Sequence, residues 1–213
     1  MKNTSKQYDE YYEDVEKSAP FMEEMRNGKK NRRDIALEFF EKFKTKKILD
    51  VGCGPGFDAV YFLRKGFEVY ACDISKNVIG YARKQNPGPK YFLCDIGKKP
   101  AKTKFDGIYA FEIIEHVFDY DVFLRNLYKS LKDGGILVIT TPNVLAPRNR
   151  IKLLLGKDEW FESKYDIHFF SPRTLKKSLE KNGFRVLEIK SKGKISFLGM
   201  NFGGSMAVAA KKE

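Results

Sequence analysis

The sequence predicts an α/β fold: a three-layer α/β/α sandwich around a seven-stranded, mostly parallel sheet. Three observations carry that expectation. The 213 residues leave room for one domain with a sizeable core. Along most of them, short apolar runs suited to buried strands alternate with stretches of helical periodicity. Residues 47–58 read Lys-Ile-Leu-Asp-Val-Gly-Cys-Gly-Pro-Gly-Phe-Asp, in which the run of Ile48, Leu49 and Val51 breaks into alternating Gly52, Gly54 and Gly56. A buried parallel strand that turns through such glycines into a helix beginning near Phe57 brings bare backbone close to a ligand, which marks a nucleotide-type site. A dinucleotide fingerprint wants a third small residue where Phe57 stands, so this turn suits a cofactor without a pyrophosphate.

Before that strand, residues 8–45 look helical. Tyr8, Tyr11, Tyr12 and Val15 form one apolar face, and Ile35, Ala36, Phe39, Phe40 and Phe43 a second, with Asn27-Gly28 breaking the run between them. Most of these residues are expected to pack on the sheet; the three tyrosines also suit a lid. A second strand, Phe67 to Cys72, ends in Asp73. An acidic residue about 20 positions beyond the first glycine is placed to accept hydrogen bonds from both ribose hydroxyls of an adenosine. The alternative is that Asp73 serves the N-cap region of the helix from Ser75 onward.

A third strand, Lys90 to Cys94, ends in Asp95-Ile96, and a fourth runs from Phe105 to Phe111. Residues 121–131 read as an amphipathic helix with Val122, Phe123, Leu127 and Leu131 inward. Asp133-Gly134-Gly135 closes it before a fifth strand, Ile136 to Thr140. Ser171-Pro172 opens a further helix with Leu175 and Leu179 inward, closed by Asn182-Gly183, and Phe184 to Ile189 is a sixth strand. Residues 205–211 form the last. No repeat or low-complexity linker appears, and the expected organisation is a single domain over 1–213. Within it, 1–45 are N-terminal helices, 46–142 the cofactor-binding core, 143–170 a substrate cap, and 171–213 a C-terminal helix and strands.

The glycine turn, the acidic strand ends, and the stretch from Glu112 through Leu131-Lys132-Asp133-Gly134-Gly135 to Thr140-Thr141-Pro142-Asn143 together resemble the class I S-adenosylmethionine-dependent methyltransferases. The resemblance spans about residues 45–190. It implies a Rossmann-like sheet whose last strand enters antiparallel beside the fifth, and S-adenosylmethionine as cofactor. Gly52, Gly54 and Gly56 would admit the cofactor's amino-acid end and Asp73 would hold ribose. Asp95 would receive the adenine amino group, and Ile96 would flank the ring. Asp50, Cys53, Ile74 and Phe111 join these as cofactor-binding candidates.

Glu112, Glu115 and His116 stand at i, i+3 and i+4, so one helical turn after the fourth strand would put them on one face, where the reactive methyl group should be. The chain's only other histidine, His168, returns after the neighbouring strand. Glu-x-x-Glu-His with a distant His is similar to the ubiquinone-biosynthesis O-methyltransferases and the RNA 3′-terminal 2′-O-methyltransferases. That likeness implies one divalent metal, Mn, Fe, Co, Zn or Mg, on Glu112, Glu115, His116 and His168, activating a vicinal diol or catechol. Two other readings stand beside it: metal-free acid-base catalysis by His116 or His168 with Glu115, and structural roles.

A net charge of +12 invites a nucleic-acid partner, but the lysines are scattered and no compact basic block appears, so a solvated lysine-rich surface is the reading preferred. The partner expected is a small-molecule methyl acceptor with a phenol or diol; RNA, a lipid or a quinone is the alternative. A protein that binds the cofactor without turnover is the reading from another class. Residues 144–161 interleave apolar residues with Arg148, Arg150 and Lys152 and include the only tryptophan, Trp160. They suit a lid over the substrate, and equally an interfacial helix on anionic lipid. Cys53, Cys72 and Cys94 lack paired or metal-type spacing, no apolar stretch is long enough to span a bilayer, and Met1 to Glu16 is no secretory signal. A cytoplasmic location is therefore expected.

Overall fold

The computed structural model describes residues 30–156, 166–192, 196–197, 200–201 and 204–213. The expectations for Tyr8, Tyr11, Tyr12, Val15, Asn27-Gly28, Trp160 and Phe161 fall outside those residues. The elements, in chain order, are α1 (Lys30–Lys42), β1 (Lys47–Val51), α2 (Phe57–Arg64), β2 (Glu68–Asp73), α3 (Lys76–Gln85), β3 (Lys90–Leu93) and β4 (Phe105–Phe111). After a 3₁₀ turn at Ile114–His116 come α4 (Tyr120–Ser130), β5 (Leu131–Pro142), α5 (Pro147–Leu154), α6 (Pro172–Lys181), β6 (Phe184–Lys192), β7 (Ser196–Phe197), β8 (Met200–Asn201) and β9 (Ser205–Lys212).

Seven strands form one sheet in the order β3-β2-β1-β4-β5-β9-β6. β1 to β5 pair in parallel, and β9 enters antiparallel between β5 and β6. The expected seven-stranded sheet with an antiparallel last strand beside the fifth is thus present. β9 is Ser-Met-Ala-Val-Ala-Ala-Lys-Lys, and Met206 to Ala210 are at most 1% exposed. Small apolar side chains on both faces suit a strand covered by neighbours on each side and by helices above and below.

Helices cover both faces of the sheet, giving the three layers. One core gathers Ile48, Val69, Ala71, Tyr109 and Val138 under Ala36, Phe39 and Phe40 of α1, Ala59 and Phe62 of α2, and Ile79 and Ala82 of α3. The other gathers Leu49, Val51, Ile108, Leu137 and Val208 under Phe123, Leu124 and Leu127 of α4 and Leu175 and Leu179 of α6. The Phe40 ring lies over Gly107 of β4, where a Cβ would meet Cε1 at 2.7 Å. The helix starts follow their side chains: Ser75 accepts from the N–H of Val78, Asp119 from that of Val122, and Ser171 and Thr174 form a capping box ahead of Pro172.

Two boundaries differ from expectation. α4 ends at Ser130, and β5 already begins at Leu131, which pairs with Phe105. The register then jumps to Gly107 opposite Ile136, so the Lys132–Gly135 stretch is a bulge inside the strand, with Gly134 at φ 75°, rather than a turn before it. The second difference is that the stretch after β4 is no helical turn starting at Glu112. Glu112 sits in the left-handed region at φ 57°, and the 3₁₀ turn starts two residues later.

Candidate functional site

The sheet reverses its direction of growth between β1 and β4, and the residues after the carboxyl ends of β1, β2, β3 and β4 converge around that switch point. Gly52, Gly54 and Gly56 all have positive φ, at 73°, 51° and 88°. Two of them also make room for protein: a Cβ on Gly52 would lie 2.2 Å from Cδ1 of Ile113, and one on Gly56 2.3 Å from the Tyr91 hydroxyl. The glycine spacing therefore serves the seating of two side chains as well as backbone exposure.

Asp73, at the end of β2, is buried and ties this turn together. Its Oδ2 accepts from the N–H of Gly54 at 3.0 Å and its Oδ1 from that of Ser75 at 3.0 Å. Ser75 is the N-cap residue that accepts from Val78, and Asp73 supports it through the Ser75 N–H, so Asp73 serves the N-cap region of α3 as well as the glycine turn. Ile74 is half-buried beside it. Cys53 is buried in the turn, and burial pushes its thiol pKa up.

After β3, half-buried Asp95 pairs with Lys98 at 3.1 Å, and its main-chain oxygen accepts from the N–H groups of Lys98 and Lys99. Ile96 is 3% exposed and sits in the core, where its carbonyl accepts from the Asn126 amide at 2.8 Å. Side-chain flanking of a ligand ring by Ile96 therefore competes with its place in the core.

Beneath the turn lies a buried polar group that the sequence reading passed over. Arg32 and Arg33 of α1 both hydrogen-bond the carboxylate of Asp58, in the first turn of α2. Arg32 also lies over the ring of Phe111, 4.9 Å from its centroid, and its Nε and Nη1 are buried without a hydrogen-bond partner among the described residues. Asp50 is buried next to this group. Burial, then the neighbouring Asp58, raises its pKa well above the carboxylate range. The Tyr109 hydroxyl is near enough to oppose that rise but misses hydrogen-bond geometry, and Asp50 Oδ2 is also without a partner among the described residues.

The carboxylate and histidine residues after β4 are close in the fold but do not converge. Glu115 is 2% exposed, and its Oε2 accepts from the Thr141 hydroxyl of β5 at 3.0 Å. Burial, reinforced by Glu112, pushes its pKa to about 8. His116 Nδ1 lies 3.1 Å from Asp166 Oδ1. His168 Nε2 donates to the Phe118 carbonyl at 3.2 Å, and its ring stands edge-on to Tyr120 at 4.9 Å. Among the described residues, no three His, Cys, Asp or Glu side chains are grouped to hold a metal ion. The shared face expected of Glu112, Glu115 and His116 fails because Glu112 precedes the turn in a left-handed conformation. The four residues implied as a metal set thus do not fit one in this arrangement.

The model of a methyltransferase domain family matches residues 22–189, most of the chain and every element around this site. The chain belongs to that family. Among curated proteins, the methyltransferase domain is 38% identical over 116 residues to the ubiquinone biosynthesis O-methyltransferase of Pelagibacter ubique, covering 52% of this chain and 48% of that protein. It is 28% identical over 126 residues to the malonyl-[acyl-carrier protein] O-methyltransferase of Enterobacter lignolyticus, covering 59% and 50%. The chain thus spans about half the length of the curated relatives it matches. Among solved structures, an S-adenosylmethionine-dependent methyltransferase from Clostridium acetobutylicum superposes over 99% of both chains with a TM-score of 0.68 at 14% identity. The magnesium protoporphyrin IX methyltransferase of Synechocystis, with bound SAH, covers 86% of this chain and 83% of its own with a TM-score of 0.66 at 16% identity. At these identities the structures speak for the fold.

Arg32 and Asp166 are residues of this candidate site that sequence reasoning missed. For Arg32 a signal existed: Ala36, Phe39 and Phe40 follow it at i+4, i+7 and i+8, which puts an arginine on the buried stripe of α1. Asp166 carried no local signal, because its partner stands 50 residues earlier.

Proposed function

We propose that this chain transfers a methyl group from S-adenosylmethionine to an oxygen of a small-molecule acceptor. The observation that carries the reading is the buried Asp73 carboxylate, held by the glycine turn at the switch point of a methyltransferase-family sheet. When bound, S-adenosylmethionine supplies an electrophilic methyl group on a sulfonium. The residues present suit it. Gly52, Gly54 and Gly56 bring backbone up to the cofactor's amino-acid end. Asp73 accepts from the backbone N–H groups of Gly54 and Ser75, and its carboxylate is the group we assign to the ribose hydroxyls. Asp95, after β3, is the residue we assign to the adenine amino group. The Arg32 Nε and Nη1 donors, without a hydrogen-bond partner among the described residues, suit the cofactor's carboxylate.

Oxygen is favoured as the nucleophile because the curated relatives named above are O-methyltransferases. An acceptor hydroxyl needs in-line approach and loss of its proton, and His116 is the base we assign. Its imidazole would take the hydroxyl proton, so that the oxygen could accept the methyl group that the bound cofactor would supply with the carbon–sulfur electron pair left on sulfur.

Leu145, Ile151, Leu154 and Leu155, on and around α5, are exposed, and Arg150 lies among them. We read this apolar rim as a lid that closes over the acceptor. Its charge also fits anionic lipid, and co-sedimentation of the Arg150→Glu variant with anionic vesicles separates the two readings. The free cysteines Cys53, Cys72 and Cys94 support a reducing, cytoplasmic setting.

The test is calorimetry with S-adenosylmethionine and S-adenosylhomocysteine, followed by an acceptor screen over phenols, lipids and RNA ends that reads S-adenosylhomocysteine release. Failure of the unaltered chain to bind either ligand overturns the reading. Binding without product from any acceptor class would favour a cofactor-binding protein that does not turn over.

A further inference from the structure

Three of the four residues that a metal would gather, Glu115, His116 and His168, make contacts between the loop after β4 and the segment 166–170. The main-chain oxygen of Glu115 accepts from the N–H groups of Ile167 at 2.9 Å and His168 at 3.1 Å. One residue on, His116 Nδ1 meets Asp166 Oδ1 at 3.1 Å, and in return His168 Nε2 donates to the carbonyl of Phe118. All four contacts join the loop after β4 to the segment 166–170. That segment is itself fixed to the end of β5, by a bridge between Asn143 and Phe170 and by Val144 N–H donating to Phe170 O at 3.1 Å. Tyr120, at the start of α4, backs the junction, with its ring edge-on to both His168 and Phe170 at 4.9 and 5.4 Å.

From this pattern we infer that Glu115, His116 and His168 form a metal-independent latch, in which Asp166 is the positioning residue for the imidazole of His116. The inference rests on the methyltransferase reading for the task of His116, but not for the geometry. A carboxylate on one ring nitrogen is also how many metal-bound histidines are oriented, so the Asp166 contact alone does not decide against a metal. Glu115 and His168 decide it. The Glu115 side chain is 2% exposed, and its Oε2 is engaged by the Thr141 hydroxyl of β5. His168 uses Nε2 on a main-chain carbonyl and packs its ring between aromatic neighbours. Glu112 is itself the left-handed residue before the turn that carries Glu115 and His116.

The latch has a chemical consequence. A carboxylate can only accept from Nδ1, so Asp166 fixes the proton of neutral His116 on Nδ1 and the basic lone pair on Nε2. The ring is then held in one tautomer at the end of β4 nearest the proposed methyl group. The orienting logic is that of a carboxylate behind a catalytic imidazole, with the acceptor oxygen as the group deprotonated.

The chain's two histidines make the test direct. Long-range nitrogen–proton NMR on the [15N]histidine-labelled full chain, at about pH 9 where an ordinary imidazole is neutral, reads both rings without any acceptor, and His116→Gln assigns them. Expected are a His116 ring protonated at Nδ1, loss of that fixed tautomer in Asp166→Ala with His168 unchanged, and no selective broadening of either ring by equimolar MnCl2. Mn2+ broadening of both rings, or an Asp166→Ala chain that keeps the Nδ1 tautomer, overturns the inference. The Mn2+ arm uses the unaltered chain, so it stays decisive even if the variant fails to fold. Calorimetry with S-adenosylhomocysteine on the same sample tells failure of the methyltransferase reading from failure of the latch.

Discussion

Asp73 and Glu115 are both buried carboxyls next to the proposed cofactor site, and their surroundings give them opposite tasks. Asp73 accepts two backbone N–H groups, which favour a charged acceptor. Replacing it with Ala removes the ribose acceptor and leaves the Gly54 and Ser75 donors unmet. S-adenosylhomocysteine affinity is expected to fall by about 10- to 100-fold, the equivalent of about 1.5–3 kcal/mol for a hydrogen bond to a charged group; calorimetry checks it. Glu115 has one hydroxyl donor and little solvent, and its pKa rises from 4.5 to about 8. Between those values the unfolded chain releases the proton while the folded chain keeps it, so this residue makes stability fall as pH rises. Glu115→Gln keeps an acceptor for Thr141 and cannot ionise. Urea unfolding of the variant should show a smaller loss between pH 5 and pH 8 than the unaltered chain, by on the order of a few kcal/mol. Asp73 was legible because its spacing from the glycines is local. The pairing of His116 with Asp166 was not, because it depends on where the chain returns after β5.

At the scale of elements, periodicity placed the strands and most helices, and it failed where a single backbone angle overrides it. Glu112, Glu115 and His116 have helical spacing, yet the left-handed Glu112 removes it from the turn that carries the other two. Likewise, Asp133-Gly134-Gly135 reads as a helix stop, and the fold uses it as a bulge in β5. α1 is the element whose role grew most: its apolar face was visible, but not that Arg32 at its start reaches Asp58 while Phe40 reaches Gly107. Phe40 is fully buried in an aromatic group with Phe62, Phe67 and Tyr109. Phe40→Ala should destabilise the fold by about 3–5 kcal/mol, through lost transfer energy and the cavity left behind, measured by denaturant unfolding. On the other side of the site, Gly52→Ala places a methyl group on Ile113 at a positive φ. The variant should lose cofactor binding, and trimming Ile113 to Ala in the same chain should restore only part of it, because the backbone strain of about 1–2 kcal/mol remains.

For the whole molecule, the arrangement of β9 decides how stability is distributed. The parallel half of the sheet follows from alternating strands and helices, but nothing local in residues 205–211 says that they enter between β5 and β6. The methyltransferase resemblance implied an antiparallel strand beside β5, and the pairing with β6 on the other edge is added by the structure. Once there, β9 pairs with β5 from Ile136 to Pro142 on one edge and with β6 from Phe184 to Lys192 on the other. It is therefore an interior strand made from residues 205–212, and the two strands it joins have no ladder with each other. Its hydrogen bonds are buried, and Met206, Val208 and Ala210 belong to the core under α4 and α6. Hydrogen exchange should consequently show the amides of residues 206–210 among the slowest in the protein, opening only with global unfolding. A charge in the middle of the strand, Val208→Asp, buries an unpaired carboxylate between two helices and should abolish cooperative unfolding, whereas Lys211→Asp, near the open end, should leave it in place. Rapid exchange at residues 206–210 in the unaltered chain would mean that the sheet is held together from β3 to β5 alone.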